Sequence, residues 1–297
     1  MRAIRLVRHG APLIEQDIAD PEPRSGEVLI EIRAAGICHS DAHYRHQPGR
    51  VNVPRTLGHE IAGVIAGTNK RVAAHYLLPN GGMIGKEVDG GYAEKIVVPE
   101  ANAIAIPDPI AFEQAAIMMC STATAYHALR LALFKRPEYL AILGFGGLGI
   151  SALQLGRRLG ASRIQVAERV PEKLALAAEL GAISGLRDGV DVALDFVGNR
   201  DLCLQALRAL RPGGRLVLVA INLREFSFDA YADVLAKERH IIGCSDHTRE
   251  ELIELMQMDL DLSRAVTRRV PLDADAINEV LEDLDRGTPH LRTIITI

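Results

Sequence analysis

The chain has no tryptophan, and its aromatic content is only 4%. Nucleic-acid bases stack on aromatic side chains, so a sequence this poor in them makes a weak stacking platform. It has no excess of positive charge either: 34 Lys and Arg stand against 38 Asp and Glu, a formal net charge of -4. A polyanion-binding surface is therefore not expected as its main business. No apolar run approaches the roughly 20 residues that span a bilayer. The opening residues, MRAIRLVRHGAP, carry charges with no apolar stretch of signal-peptide length behind them, and they read as a first strand. Four cysteines, Cys38, Cys120, Cys203 and Cys244, are too few and too scattered for a disulfide framework. These absences leave a cytoplasmic enzyme acting on a small molecule, with no nucleic-acid and no membrane partner. An apolar fraction of 48% over 297 residues is enough for two domains with cores of their own.

Up to about residue 110 short β-like runs (AIRLV, EVLIEIRAAG, EIAGVIAG, KRVAAHYL, AEKIVVP, NAIAIP) are broken by glycine and proline, as in a small mixed or barrel-like β domain. From Phe112 the texture turns helical, and FEQAAIMMCSTATAYHALRLALF reads as two segments rich in Ala, Leu and Met. YLAIL, ISALQLGRRLGA, RIQVAE, PEKLALAAELGA, VDVALDFVG, LCLQALRAL and RLVLVAI then alternate strand with helix, which means a parallel sheet covered by helices. The last stretch returns to RAVTRRVPL, the amphipathic DADAINEVLEDLDR and LRTIITI, and is expected to pack back onto the first domain. The expected division is a β-rich domain over 1–120, completed by 256–297, and a doubly wound domain over 121–255. One element is missing from the series. Only ISGLRDG and its neighbours separate Gly181 from VDVALD, too little for a third strand and its crossover helix. In the strand order 3-2-1-4-5-6 that strand is an edge, so its loss need not break the sheet.

Gly144, Gly146 and Gly149 in GFGGLG satisfy G-x-G-x-x-G, with a further glycine at Gly147. Alone the motif is weak. Here it lies between a strand and a helix, and Glu168 closes the next strand 24 residues after Gly144. Gly144 then permits the tight turn, Gly146 the approach of a pyrophosphate, and Gly149 the packing of helix on strand. The helix N-terminus offers N–H groups to the phosphates. The plainer alternative, a loop loosened by glycines, does not account for all these elements falling in register. Glu168 suits a free ribose diol and so NAD rather than NADP, while Arg169 beside it can stack on adenine or soften that preference.

GICHSDAH at 36–43 and GHE at 58–60 crowd a cysteine, three histidines and a glutamate beside glycines, without the period of a helix or strand face. Cys38 and His59, with Cys120 as a distant third ligand, make a Cys/His metal set. Thiolate and imidazole ligands select zinc (Zn2+) before harder ions. Three protein ligands leave the fourth position open, as a catalytic zinc needs. The bland alternative for Cys120 is a buried small hydrophobe. Cys203 and Cys244, without polar company, read as core or surface residues.

These stretches together resemble the zinc-dependent medium-chain alcohol dehydrogenase family. The resemblance rests on AAGICHSDAHY, TLGHEIAGVI, GGYAEKIVVPE, AAIMMCSTATAYHAL, ILGFGGLG, PGGRLVLV and LRTIITI, and so covers nearly the whole length. It implies an α/β and β two-domain fold, a mostly-β GroES-like catalytic domain plus a doubly wound parallel-sheet Rossmann domain. It implies an NAD-dependent, zinc-containing oxidoreductase that moves a hydride between an alcohol and NAD and yields an aldehyde or ketone. On the family pattern Cys38, His59 and Cys120 bind the catalytic zinc, and Glu60 is the carboxylate that approaches the metal during ligand exchange. Ser40 binds the substrate oxygen, His43 ends a proton relay to solvent, and Asp41 orients the ring of His59. Arg292 contacts the cofactor pyrophosphate. Relatives pair through an edge of the cofactor sheet, which implies a homodimer or homotetramer.

Two other functions compete. A polyol or sugar dehydrogenase shares the site, but such relatives commonly carry glutamate at the position of Cys120. A non-catalytic dinucleotide-binding protein would be favoured by loss of the ligands or relay residues, and none is lost. The pattern also departs from the family. HYLLPNGGMIGKEVDGGYAE lacks the four cysteines of a structural zinc lobe, and the connections near residues 67, 81, 185 and 258 are short. Either this is a trimmed relative or the chain lacks surface segments of a longer one; the second is favoured.

Overall fold

The computed structural model describes residues 1–223 and 225–297. The chain divides into two compact units. The first comprises Met1–Cys120, Arg249–Asp259 and Val266–Ile297, the second Ser121–Thr248 and Leu260–Ala265. The return to the first unit thus begins at Arg249, ahead of the 256 expected from sequence.

The first unit is built on the strand Glu27–Ile37. Its first half alternates, with Ile30 and Ile32 buried and Arg33 outward, while Ala34, Ala35, Gly36 and Ile37 are all buried. Small residues on both faces let neighbouring elements approach closely just where the strand ends. It pairs antiparallel with Arg292–Thr296 and Lys95–Pro99 along one side and with Glu60–Ile65 on the other. The sheet runs Val266–Pro271, Arg292–Thr296, Glu27–Ile37, Glu60–Ile65, Arg71–Ala74, Ala103–Ala105. The C-terminal segment therefore packs back onto the first unit as a strand of its main sheet. Between its two strands the helix Ala274–Arg286 turns Ile277, Val280 and Leu281 inward, the i, i+3, i+4 stripe of an amphipathic helix. Asp273 caps it by accepting from Ala276 N at 2.9 Å. These residues join Ile4, Leu6, Ile30, Ile32, Leu57, Ile61 and Tyr92 in one core.

The second unit holds a six-stranded sheet in the order Ile183–Ser184, Arg163–Ala167, Tyr139–Leu143, Val190–Asp195, Leu210–Leu218, His240–Gly243. Every pairing is parallel. This is the 3-2-1-4-5-6 order of a doubly wound fold. The third strand, expected to be absent, is present as the two residues Ile183–Ser184, paired to Gln165 and Val166. Its crossover helix is missing, and the chain turns straight back through Gly185 and Gly189, both at positive φ. An edge strand pairs on one side only, so two residues suffice, and two residues carry no readable period.

The other short connections are closed by turn hydrogen bonds. Ile65 N donates to Lys70 O, Gly81 N to Leu78 O, and Met258 N to Leu255 O. Among the described residues no helix is long and apolar enough to cross a membrane.

Candidate functional site

In the first unit, Cys38 follows the central strand directly, with extended backbone, and caps the helix His39–His46. Asp41, in the first turn of that helix, reaches back so that its Oδ2 accepts from Cys38 N at 3.0 Å. The reciprocal bonding is that of a capping box, and it fixes where the helix and the thiol begin. His59 and Glu60 enter the strand Glu60–Ile65 behind Gly58, whose φ of 92° is left-handed. Glycine is needed there twice over, since a Cβ would also meet the Tyr92 ring at 2.4 Å. Cys120 arrives from the helix Phe112–Ile117 by way of a π-helical turn, Met118–Thr122. Such turns are frequent at functional sites.

Cys38, His59, Glu60 and Cys120 bring their ligand atoms within 4.8 Å of one another, and all four residues are buried. Tetrahedral zinc with bonds of about 2.0–2.3 Å sets its ligand atoms roughly 3.3–3.8 Å apart, so a small inward closure completes the site. The electrostatics agree. The Cys38 thiol is held well below its usual range by a hydrogen bond from Cys120, with His59 and Arg292 adding to it against burial. Cys120 is pushed up by the same hydrogen bond and by burial. Burial opposes a charged His59, but Asp41 and Cys38 outweigh it and hold the imidazole above its usual value. The cluster thus stores protons on Cys120 and His59 that a dication would displace. Two thiolates then balance the +2 charge.

Glu60 and Arg292 form a second, neutral pair beside the cluster. The Arg292 guanidinium donates to Glu60 Oε2, and both side chains are buried. Burial pushes the Glu60 carboxyl up to about 7 despite the pull of Arg292. The two meet across Gly36, which lies opposite Glu60 in the sheet. A Cβ on Gly36 would sit 1.9 Å from Glu60 Oε2, so the pair exists only because that residue is glycine.

Ser40 is half-buried with its Oγ 3.7 Å from Cys38 Sγ. One turn on, the His43 ring stacks on His39 at 4.7 Å. Burial, then the neighbouring His39, push the His43 pKa down, which favours its neutral form. Asp41 Oδ1 lies 3.3 Å from His59 Nδ1, an ion-pair distance without the angle of a full hydrogen bond. Sequence reasoning missed Tyr92, whose hydroxyl donates to Asp41 Oδ2 at 2.8 Å across 51 residues. It also missed Asp285, which accepts from His46 Nε2 at 2.9 Å and ties down the end of the same helix. Neither partner is near enough in sequence to leave a local signal.

In the second unit, the strand Tyr139–Leu143 runs into Gly144 at φ 90°. The glycines of the turn serve different needs. A Cβ on Gly144 would meet Val197 at 2.5 Å, and one on Gly149 would meet Gly144 O at 2.3 Å. Gly146, which caps the helix Gly147–Arg158, faces open space, as an approaching phosphate requires. Glu168 Oε2 accepts from Phe145 N at 2.8 Å, while Oε1 accepts from Arg169 N at 2.7 Å and Val170 N at 2.9 Å. The carboxylate therefore braces the glycine turn and keeps lone pairs for hydroxyl donors. Arg169 is exposed. Lys173 is a further residue the sequence reading passed over. Burial lowers its pKa, while the charge of Glu168 pulls it up. Burial, with Asp195 adjacent, pushes the Cys203 thiol up to about 12, as befits an inert core cysteine.

Comparison with known proteins agrees with both halves. The alcohol dehydrogenase GroES-like domain matches residues 24–108 and the zinc-binding dehydrogenase family matches residues 147–259. An NAD-dependent alcohol dehydrogenase of Sulfurisphaera tokodaii is 31% identical over 80% of this chain and 76% of its own length. An alcohol dehydrogenase of Geobacillus stearothermophilus is 29% identical over the full length of both chains. The crystal structure of the Aeropyrum pernix alcohol dehydrogenase superposes with a TM-score of 0.85 at 28% identity, covering all of both chains. With a GroES-like unit, a doubly wound unit and a Cys/His/Cys cluster at the end of the central strand, the chain belongs to the zinc-binding dehydrogenase family of medium-chain dehydrogenases/reductases.

Proposed function

We propose that this protein oxidises a small alcohol to an aldehyde or ketone with NAD, and runs the reverse reduction. The observation that carries the reading is the gathering of Cys38, His59, Glu60 and Cys120 within 4.8 Å. Zinc bound there supplies Lewis-acid polarisation of the substrate oxygen, and NAD accepts the hydride. Cys38, His59 and Cys120 would hold the metal, and Asp41, 3.3 Å from His59 Nδ1, would keep a proton there and leave Nε2 to coordinate. Ser40 Oγ binds the alcohol hydroxyl and takes its proton, and the neutral His43 ring receives it. Glu60 is close enough to compete for the open position, and its pairing with Arg292 restrains it. In the second unit Gly144, Gly146, Gly147 and Gly149 accommodate the pyrophosphate, and Glu168 with Arg169 selects the ribose.

A panel of primary, secondary and cyclic alcohols plus sorbitol, run with NAD or NADP and followed by nicotinamide absorbance, tests this. Turnover of at least one simple alcohol is expected, with a higher kcat/KM for NAD. Preference for sorbitol would select the polyol reading. A zinc-loaded protein that turns over nothing in the panel would leave a dinucleotide-binding protein without catalysis.

Self-association belongs to the same reading. The strand His240–Gly243 is an edge of its sheet, and no strand among the described residues pairs with its outer side. Tyr231 and Leu235, shortly before it, are 69% and 66% exposed. Pairing with a second copy removes an open edge, so a homodimer, or a homotetramer built from it, is the proposed state. Light scattering should give at least twice the chain mass; a monomer at micromolar concentration would reject the dimer. The cytoplasm, which keeps free thiols reduced, is the proposed compartment.

A further inference from the structure

His59 depends on Asp41 for its orientation, so what holds Asp41 becomes part of the metal site. That carboxylate is fully buried, as is Tyr92, and His59 is 2% exposed. No bulk water reaches them to replace a lost hydrogen bond. The two oxygens of Asp41 are used differently. Oδ2 accepts from Cys38 N at 3.0 Å and from the Tyr92 hydroxyl at 2.8 Å. Oδ1 faces His59 Nδ1 at 3.3 Å and Gly58 N at 3.4 Å. Two short bonds therefore pin one oxygen, and the carboxylate plane they set aims the other at the histidine ring.

The backbone registers this arrangement. Gly90 N, Gly91 N and Tyr92 N donate to the carbonyls of Thr56, Gly58 and Leu57 at 2.8, 2.8 and 3.0 Å. The segment carrying Tyr92 is thereby clamped along the segment carrying His59. Side chains are barred from the clamp: a Cβ on Gly90 would lie 2.2 Å from Gly58 O, and one on Gly91 would lie 2.4 Å from Ile61 Cγ1. The Tyr92 ring in turn fills the space left by Gly58. The phenol thus sits at a fixed offset from the imidazole it serves through Asp41.

We infer that Tyr92 is a positioning residue for the metal ligand His59, acting through Asp41; the inference rests on zinc binding at the site proposed above. Tyr92→Phe keeps the ring and removes only the hydroxyl. The measurements are the zinc dissociation constant by competition with a chromophoric chelator, the absorption spectrum of the cobalt-substituted protein, and the melting temperature of the metal-free form. Removing the hydroxyl should weaken zinc about 10-fold, the lower end of what loss of an outer partner costs, and shift the cobalt bands. Asp41→Asn should weaken zinc more, and adding Tyr92→Phe to it should weaken zinc no further. Parent-like zinc affinity and cobalt spectrum in Tyr92→Phe would overturn the inference, even if the melting temperature falls. So would a double variant whose losses simply add. A parent that binds no zinc would overturn the metal site itself, and its own titration tells that failure from the narrower one.

Discussion

Replacing Cys120 by alanine is expected to empty most of the zinc site. The change removes one of three proposed protein ligands and one of the two thiolate charges that balance the metal. Losing an outer partner of a ligand already costs up to about 100-fold in affinity, so losing the ligand itself should cost more. Binding should not vanish, because Glu60 lies within the same 4.8 Å cluster and can turn its carboxylate toward the gap. The fold should persist, since only a sulfur is removed from a site that alanine fits. Elemental analysis after dialysis, with circular dichroism as the check on folding, decides the matter. Stoichiometric zinc in a folded Cys120→Ala protein would reject Cys120 as a ligand.

Ser40→Ala should cut alcohol oxidation by a factor of about 10²–10⁴, the usual worth of a positioned proton-transfer group. The side chain is half-buried beside Cys38, and its removal leaves the substrate hydroxyl without a first proton acceptor. Zinc content and NAD affinity should stay at parent values, because the hydroxyl is proposed to act on the substrate oxygen alone. His43→Ala should be milder, since water can replace the end of a relay, and its deficit should shrink as pH rises and solvent takes the proton more readily. The lowered pKa of His43 fits the role, because only a neutral imidazole can accept. Steady-state rates over a range of pH, alongside zinc analysis and NAD titration, measure all of this. Undiminished kcat in Ser40→Ala would refute the relay.

Much of this protein was legible in its residues because the forces concerned act over short spans of chain. GFGGLG between a strand and a helix announces a dinucleotide turn: Gly149 answers a clash inside the motif, with Gly144 O, and Gly146 leaves open space. Cys38 and Asp41, three residues apart, cap a helix that GICHSDAH does not announce by its period. The alternation of strand and helix specifies a parallel sheet, and residue type together with the family resemblance nominates Cys38, His59 and Cys120 for zinc. The short edge strand Ile183–Ser184 escaped this reading because two residues hold no period, and only pairing with Arg163–Ala167 makes them a strand.

The tertiary structure decided the rest. Glu60 meets Arg292 across 232 residues and Tyr92 meets Asp41 across 51. The π-helical turn that aims Cys120 has no signature in MMCST, since those residues would serve an ordinary helix as well. Gly36 looked like one more glycine in a motif until the sheet set it opposite Glu60, where any Cβ would fill the carboxylate's place. Propensity, capping and turn chemistry operate between neighbours, so the sequence writes them out in order. Which buried charge faces which depends on how the strands Arg292–Thr296, Glu27–Ile37 and Glu60–Ile65 pair in register, and that is settled only when distant parts of the chain close into one sheet.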